Sequence, residues 1–301
     1  MEFDVSSVYP EHKIVIYGAS YAGRPENNTM MYVSQKAGHL VKMIRNHIGC
    51  ICFVPEETDI PEDTARNNAI IKCKNPVYEY ACFAKAVSDE FHGLEKNRKY
   101  TRASGGYYVG ENTCIGKNAD IGLNAVIGHG VRIGDDAVIM EGAVIKNAVI
   151  GNGFVCGENA VIGNQAFVMA QDYRGNNVRI PSLGHVVIGD YVEVGACSDI
   201  AAGACGDTVL EDYVKLDSLV YVGHEARLYK NAVIAAGSII GGFAEIHEHA
   251  YLGINASIRN RIKIGKKAVA GMGAVTVKSV VESDTVAGNP AKSLFRGALH
   301  K

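Results

Sequence analysis

No apolar run in this chain approaches the length of about 18 residues that a transmembrane helix needs. Basic charge is not in excess either. Lys and Arg number 30 against 32 Asp and Glu, a net charge of −2, which argues against nucleic acid as a partner and against an anionic membrane surface. The start, Met1–Pro10, lacks the basic segment and apolar stretch of a signal peptide. Eight cysteines are present, yet none forms a CxxC pair or the spacing of a disulfide scaffold. Buried, reduced thiols and a cytoplasmic protein without membrane insertion are the expectation. What remains, 48% hydrophobic and 21% charged over 301 residues, suits an ordinary folded protein of one large domain or two smaller ones.

What is present is a beat of six. From Leu210 to Ile264 an aliphatic residue recurs at every sixth position, through Leu216, Val222, Leu228, Ile234, Ile240, Ile246, Leu252 and Ile258. The beat also runs from Val109 to Ile145, slips by one residue, and continues at Ile150, Cys156 and Ile162. A third stretch holds Ile188, Val194 and Ile200. A period of six fits neither an amphipathic helix nor a half-buried strand. It fits a hexapeptide parallel β-helix, three hexads to a coil, with coils stacked about 4.8 Å apart. The position two before each aliphatic is small or β-branched, as at Thr208, Val214 and Ala226, so both point inward. The beat fails at Asn164–His185 and between Ile200 and Leu210, and insertions in a solenoid gather on its functional face.

The first hundred residues read differently. Strand candidates at Lys13–Tyr17, Cys50–Val54 and Ala69–Cys73 alternate with helical patterns at Lys36–Asn46 and Val77–Phe91. The polar stretch Gly93–Lys99 reads as a connector. The expected organisation is a small α/β domain over 1–100, a β-helix over 101–282 and a tail over 283–301.

His224 lies two after the inward Val222, outside the core slots, where an imidazole is free to act as a general base. Eighteen residues on stands Gly242, and eighteen beyond that Asn260, beside Arg261, so these share one edge of the prism. A glycine there admits a substrate to the backbone, and its N–H can face an oxyanion. A solvated surface histidine is the competing reading. Asp217 suits either an orienting role for the imidazole or a turn. His247 and His249 form an HxH pair that misses this column and reads as a polar corner, with no metal expected. His129 shares the phase of His224 several coils away and reads as surface.

The run Val178–Asp190, the following Val192–Cys197, Gly206–Val209 and Val222-Gly223-His224 resemble the UDP-3-O-acylglucosamine N-acyltransferases of the lipid A pathway. The resemblance implies a left-handed parallel β-helix, a homotrimer, and an active site between subunits. It further implies His224 as catalytic base, Asp217 orienting it, and the Gly242 amide meeting the oxyanion. Asn28–Lys36 resembles the family's uridine-contacting segment. Tyr32, Ser34 and Gln35 are then substrate-binding, together with Asn260 and Arg261. This chain departs from the family at Ala201-Ala202, Asp217-Ser218-Leu219, Glu225 and Arg261. Its ending, Ala270–Val280 and Val286–Lys292, resembles instead that of hexapeptide acetyltransferases. That implies Gly271, Gly273, Lys278 and Lys292 as acyl-donor-binding residues. The expectation is an N-acyltransferase acting on a nucleotide-linked amino sugar, with acyl-CoA favoured over acyl carrier protein as co-substrate and no tightly bound cofactor. The competing expectations are the acyl-carrier-dependent lipid A activity, a metal-dependent hydratase and a non-catalytic scaffold.

Overall fold

A computed structural model describes residues 2–95 and 98–294. The chain divides into two compact units, the first made of Met1–Asn97, Gln165–Gly184 and Ala204–Gly206, the second of the rest.

In the first unit a four-stranded parallel sheet runs in the order Gly18–Ala19, Thr29–Tyr32, Ile51–Pro55, Ala69–Cys73. Thr29–Tyr32, read from the sequence only as a binding segment, is an inner strand, with Met30 and Met31 fully buried. The helix read over Lys36–Asn46 is instead a 3-10 segment, Gln35–Leu40, followed by one short turn, Val41–Ile44. The second helix starts at Pro76, where a proline loses no hydrogen bond, and runs to Glu95. The connector read over Gly93–Lys99 is therefore corrected at its start; residues 96 and 97 lie outside the described ones. The first insertion is no plain loop. Met169–Gln171 and Asn177–Arg179 pair as an antiparallel hairpin, whose Tyr173 hydroxyl donates to Glu79 of the long helix at 2.8 Å.

The second unit is a parallel β-helix of three sheets, with ten, ten and eight strands. The first face carries Val222, Ile240 and Ile258, the second Leu228, Ile246 and Ile264, the third Leu216, Ile234 and Leu252. Partners lie eighteen residues apart in regular coils, as Tyr221 with Ile239. Both inward positions of each hexad are buried: Ala226, Ala232, Ala244 and Ala250 are fully enclosed, as are Leu228 and Ile246. Strand stacking passes residue 282, because Thr285–Ala287 pairs in parallel with Val269–Ala270. Residues 295–301 of the tail lie outside the described ones.

A third beat accompanies the two inward ones. Three residues after most aliphatics the backbone turns through positive φ, as at Asn118, Asn124, Asn159, Asn231 and Asn255. Asparagine and glycine suit this left-handed turn best. Where another residue occupies it, as at Tyr191, Tyr213, Leu219 and Lys267, the backbone is strained by about 1 kcal/mol or more.

Candidate active site

Both failures of the six-residue beat open from one edge of the helix, the one that joins the first face to the second. The chain leaves there at Asn164 to return at His185, and leaves again after Ala201 to return at Asp207. His224 stands on that edge in the next coil, and Gly242 and Asn260 follow above it.

The left-handed position of this edge carries Glu225, Phe243 and Arg261, with φ of 52°, 60° and 62°. None is asparagine or glycine, a trait this edge shares with Tyr191, Tyr213, Leu219 and Lys267 elsewhere on the helix. Glu225 is 6% exposed, its backbone N–H donating to the Thr208 hydroxyl at 2.9 Å. Its carboxylate Oε2 is paired with Nδ1 of His224 in a very short contact. The Phe243 ring meets the imidazole edge-on at 5.4 Å and carries the Arg261 guanidinium at 4.0 Å. His224 is thus held on one side by a carboxylate and on another by a ring, with a fifth of its side chain exposed.

Gly242 completes the arrangement. A Cβ built there would lie 2.6 Å from Nε2 of His224 and 2.8 Å from Cε1, so the imidazole occupies the space a side chain would fill. At several corner positions two after an aliphatic, the N–H is capped by the side chain one coil on. Glu111 donates to Nδ1 of His129 at 2.8 Å, and Asp190 to Asp212 at 3.0 Å. The Gly242 N–H has no acceptor among the described residues. A base and an unused backbone donor therefore stand side by side, which is the minimum for acyl transfer through a tetrahedral oxyanion.

Asp217 does not belong to this group. It sits on the edge between the third and first faces, with a whole strand between it and His224, roughly 20 Å along the chain. Its carboxylate accepts the Ser218 N–H at 2.7 Å. The orienting role expected of Asp217 is corrected within this chain: the carboxylate at the imidazole is Glu225. Gly271 and Gly273 lie on that other edge too, following the third-face strand Val269–Ala270, so the structure does not bring them beside His224. Lys278 is exposed on the His224 edge, three coils up. Lys292 is exposed in the last strand.

Asn260 and Arg261 are exposed two coils above His224. In the first unit the Tyr32 ring leans on Tyr80 at 4.8 Å. Ser34 precedes the 3-10 segment without a side-chain cap, and the Gln35 amide donates to the Lys74 carbonyl at 2.7 Å. His247 stacks on Tyr229 at 4.6 Å and lies 3.4 Å from Glu245. Among the described residues no group of three or more His, Cys, Asp or Glu is placed to hold a metal ion. A groove of about 560 Å³ lies on the third face among Glu193, Lys215, Asp217, Val233 and Tyr251. His224 is not among its lining residues.

One coil below Glu225, the Asp207 carboxylate accepts the His185 N–H at 2.8 Å, with Nδ1 of His185 at 3.6 Å. Burial pushes the Asp207 carboxyl up, but His185 and the charge of Arg227 outweigh it and hold the group below the usual carboxylate range. A lowered folded pKa stabilises the protein above the unfolded value, and that contribution is lost as pH falls through the folded one. Asp207→Asn is therefore expected to lower Tm at pH 7, with the gap to wild type closing below roughly pH 4. Thermal melts across pH 3–7 check this.

No family model matches the chain. A UDP-3-O-acylglucosamine N-acyltransferase of Caulobacter sp. (strain K31) is 39% identical over 119 residues, 40% of this chain and 35% of that protein. UDP-3-O-acylglucosamine N-acyltransferase 2 of Legionella pneumophila (strain Lens) is 40% identical over 128 residues, 42% and 37% of the two chains. The matched stretch thus spans about a third of the length of these curated relatives, and the resemblance read from Val178–His224 is borne out at that level. Among solved structures, the UDP-N-acetylglucosamine acyltransferase of Campylobacter jejuni superposes with a TM-score of 0.57 at 19% identity, over 62% of this chain and 72% of the other. LpxA of Acinetobacter baumannii does so with 0.57 at 17%, over 64% and 74%. The fold is accordingly the left-handed parallel β-helix, preceded by a small α/β region.

Proposed function

We propose that the protein is an N-acyltransferase that moves an acyl group from a phosphopantetheine thioester to the amine of a nucleotide-linked amino sugar. The observation that carries this is the imidazole of His224 set against the Gly242 backbone with Glu225 on its other nitrogen. Glu225 keeps the proton on Nδ1, leaving the Nε2 lone pair toward the substrate. The amine attacks the thioester carbonyl and gives its proton to Nε2. The oxyanion so formed meets the Gly242 N–H. Collapse breaks the carbon–sulfur bond, and the leaving thiolate takes the proton from the imidazolium.

The relatives' names support UDP-3-O-acylglucosamine as acceptor, and with it the lipid A reading, over the short acyl-CoA reading that the C-terminal motif favours. In a homotrimer, acting in the cytoplasm, the His224 edge would face a neighbouring subunit, and the donor's phosphates would extend toward Lys278. Tyr32 would lie against the nucleotide base. The test supplies UDP-3-O-acylglucosamine with acyl carrier protein thioesters and, separately, acetyl-CoA. Turnover with the carrier and none with acetyl-CoA is expected. Turnover with acetyl-CoA alone would reverse the choice of donor, and transfer from neither would refute the reading.

A further inference from the structure

The Glu225 carboxylate meets Nδ1 of His224, so whatever fixes Glu225 also fixes the side of the imidazole that meets the substrate. In the regular coils the residue at this corner is held by one backbone bond, its N–H donating to the carbonyl nineteen residues back. Phe243 donates to His224 at 2.9 Å, Arg261 to Gly242 at 3.0 Å and Asn231 to Asp212 at 3.1 Å. For Glu225 the residue nineteen back is Gly206, the last of the second insertion. Here the Glu225 N–H donates instead to the Thr208 hydroxyl, at 2.9 Å.

Thr208 belongs to the core by position. It fills the inward slot two before Leu210, in register between Val186 in the coil below and Ala226 in the coil above, and it is fully enclosed. Apolar side chains fill the slot on either side, and a buried hydroxyl costs free energy unless it is bonded. Its bond goes to the residue next to the base. Ser198 and Ser238 also carry hydroxyls in inward slots, but both precede first-face strands, on the edge away from His224. They donate to the carbonyls of Asp217 and Gly253.

The peptide that joins His224 to Glu225 is therefore pinned from both sides. Its carbonyl takes the Phe243 N–H from the coil above, and its N–H gives to Thr208 below. A buried N–H is nearly always paired, so without the hydroxyl this peptide would turn toward another acceptor. It carries both side chains. Its rotation draws the carboxylate from Nδ1 and swings Nε2 away from the Gly242 backbone.

We propose that Thr208 is a positioning residue of the active site, its hydroxyl holding the His224–Glu225 peptide so that the carboxylate stays on Nδ1 and Nε2 faces the substrate. The catalytic consequence rests on the acyl-transfer reading above; the geometry that Thr208 maintains does not.

The test uses Thr208→Val, which keeps the shape and removes the hydroxyl, and Thr208→Ser, which keeps the hydroxyl. Thr208→Val is expected to lower kcat by about 10-fold or more with KM for the acceptor within about 2-fold, because misplaced groups slow the step without loosening the substrate. Thr208→Ser is expected to recover most of that loss. On a Glu225→Ala background, Thr208→Val should cost less than about 2-fold further, since it acts through the side chain already removed. A kcat unchanged by Thr208→Val, a loss just as large in Thr208→Ser, or the full loss repeated on the Glu225→Ala background would overturn the assignment. Should Thr208→Val not fold, Thr208→Ala takes its place under the same outcomes, matching the size of Ala226 in the slot one coil above. If wild type transfers no acyl group, the acyl-transfer reading has failed, and proton NMR decides the inference separately. The short His224–Glu225 bond is expected as a downfield Nδ1–H signal, absent from His224→Ala, kept in Thr208→Ser and lost in Thr208→Val. No such signal in wild type, or the same signal in both Thr208 variants, would overturn it.

Discussion

His224→Ala is expected to fold normally and to lower kcat by roughly 10²- to 10⁴-fold, the range that general-base help supplies. The side chain lies outside the inward slots, so the aliphatic core is untouched, but the buried Glu225 carboxylate loses a partner, and Tm is expected to fall. KM for the acceptor should change little, because the imidazole acts on the proton that leaves during attack and not on the sugar. Steady-state kinetics with a thermal melt on the same preparation check both halves. Near-normal turnover in this variant would remove His224 from the mechanism.

Gly242→Ala should cost nearly as much, by a different route. Gly242 is not among the positive-φ positions, so the backbone accepts a methyl group, and the fold should persist. The new Cβ, however, lies 2.6 Å from Nε2 and 3.0 Å from Cδ2 of His224, closer than real Cβ contacts allow. The imidazole must swing away from Glu225 or the coil must shift, and either movement separates the base from the Gly242 N–H. The N–H itself remains, so the loss comes from misalignment of base and donor, with the roughly 10²- to 10³-fold in kcat of a lost oxyanion donor as a guide to its size. The check is kcat in a variant whose circular dichroism and Tm match wild type. Retained activity would place the oxyanion elsewhere.

The helix was legible because it repeats its demands. Every inward slot accepts only small or aliphatic residues, so one period fixes core, faces and edges together. The α/β unit was less legible. Thr29–Tyr32 is too short and too uniformly buried to show a period, and the Gln35–Ile44 segment carries a helical pattern over a backbone broken at Ala37. At the site, the column His224–Gly242–Asn260 followed from phase alone. Asp217 was misplaced because nearness in sequence is not nearness on a prism: seven residues reach across a face to another edge. Glu225 and Phe243 were missed as site residues. They occupy the left-handed beat that Asn231 and Asn255 occupy, but Tyr191, Tyr213, Leu219 and Lys267 occupy it too, so the beat alone does not single them out.

The most direct test of the account is the chemical identity of the product. Wild type is incubated with UDP-3-O-acylglucosamine and an acyl carrier protein thioester, and the nucleotide sugar is analysed by mass spectrometry with fragmentation. The account predicts one added acyl group, in amide linkage to the sugar nitrogen, formed by wild type and almost absent with His224→Ala. An acyl group found on a hydroxyl oxygen, or equal amounts of amide with both proteins, would contradict it.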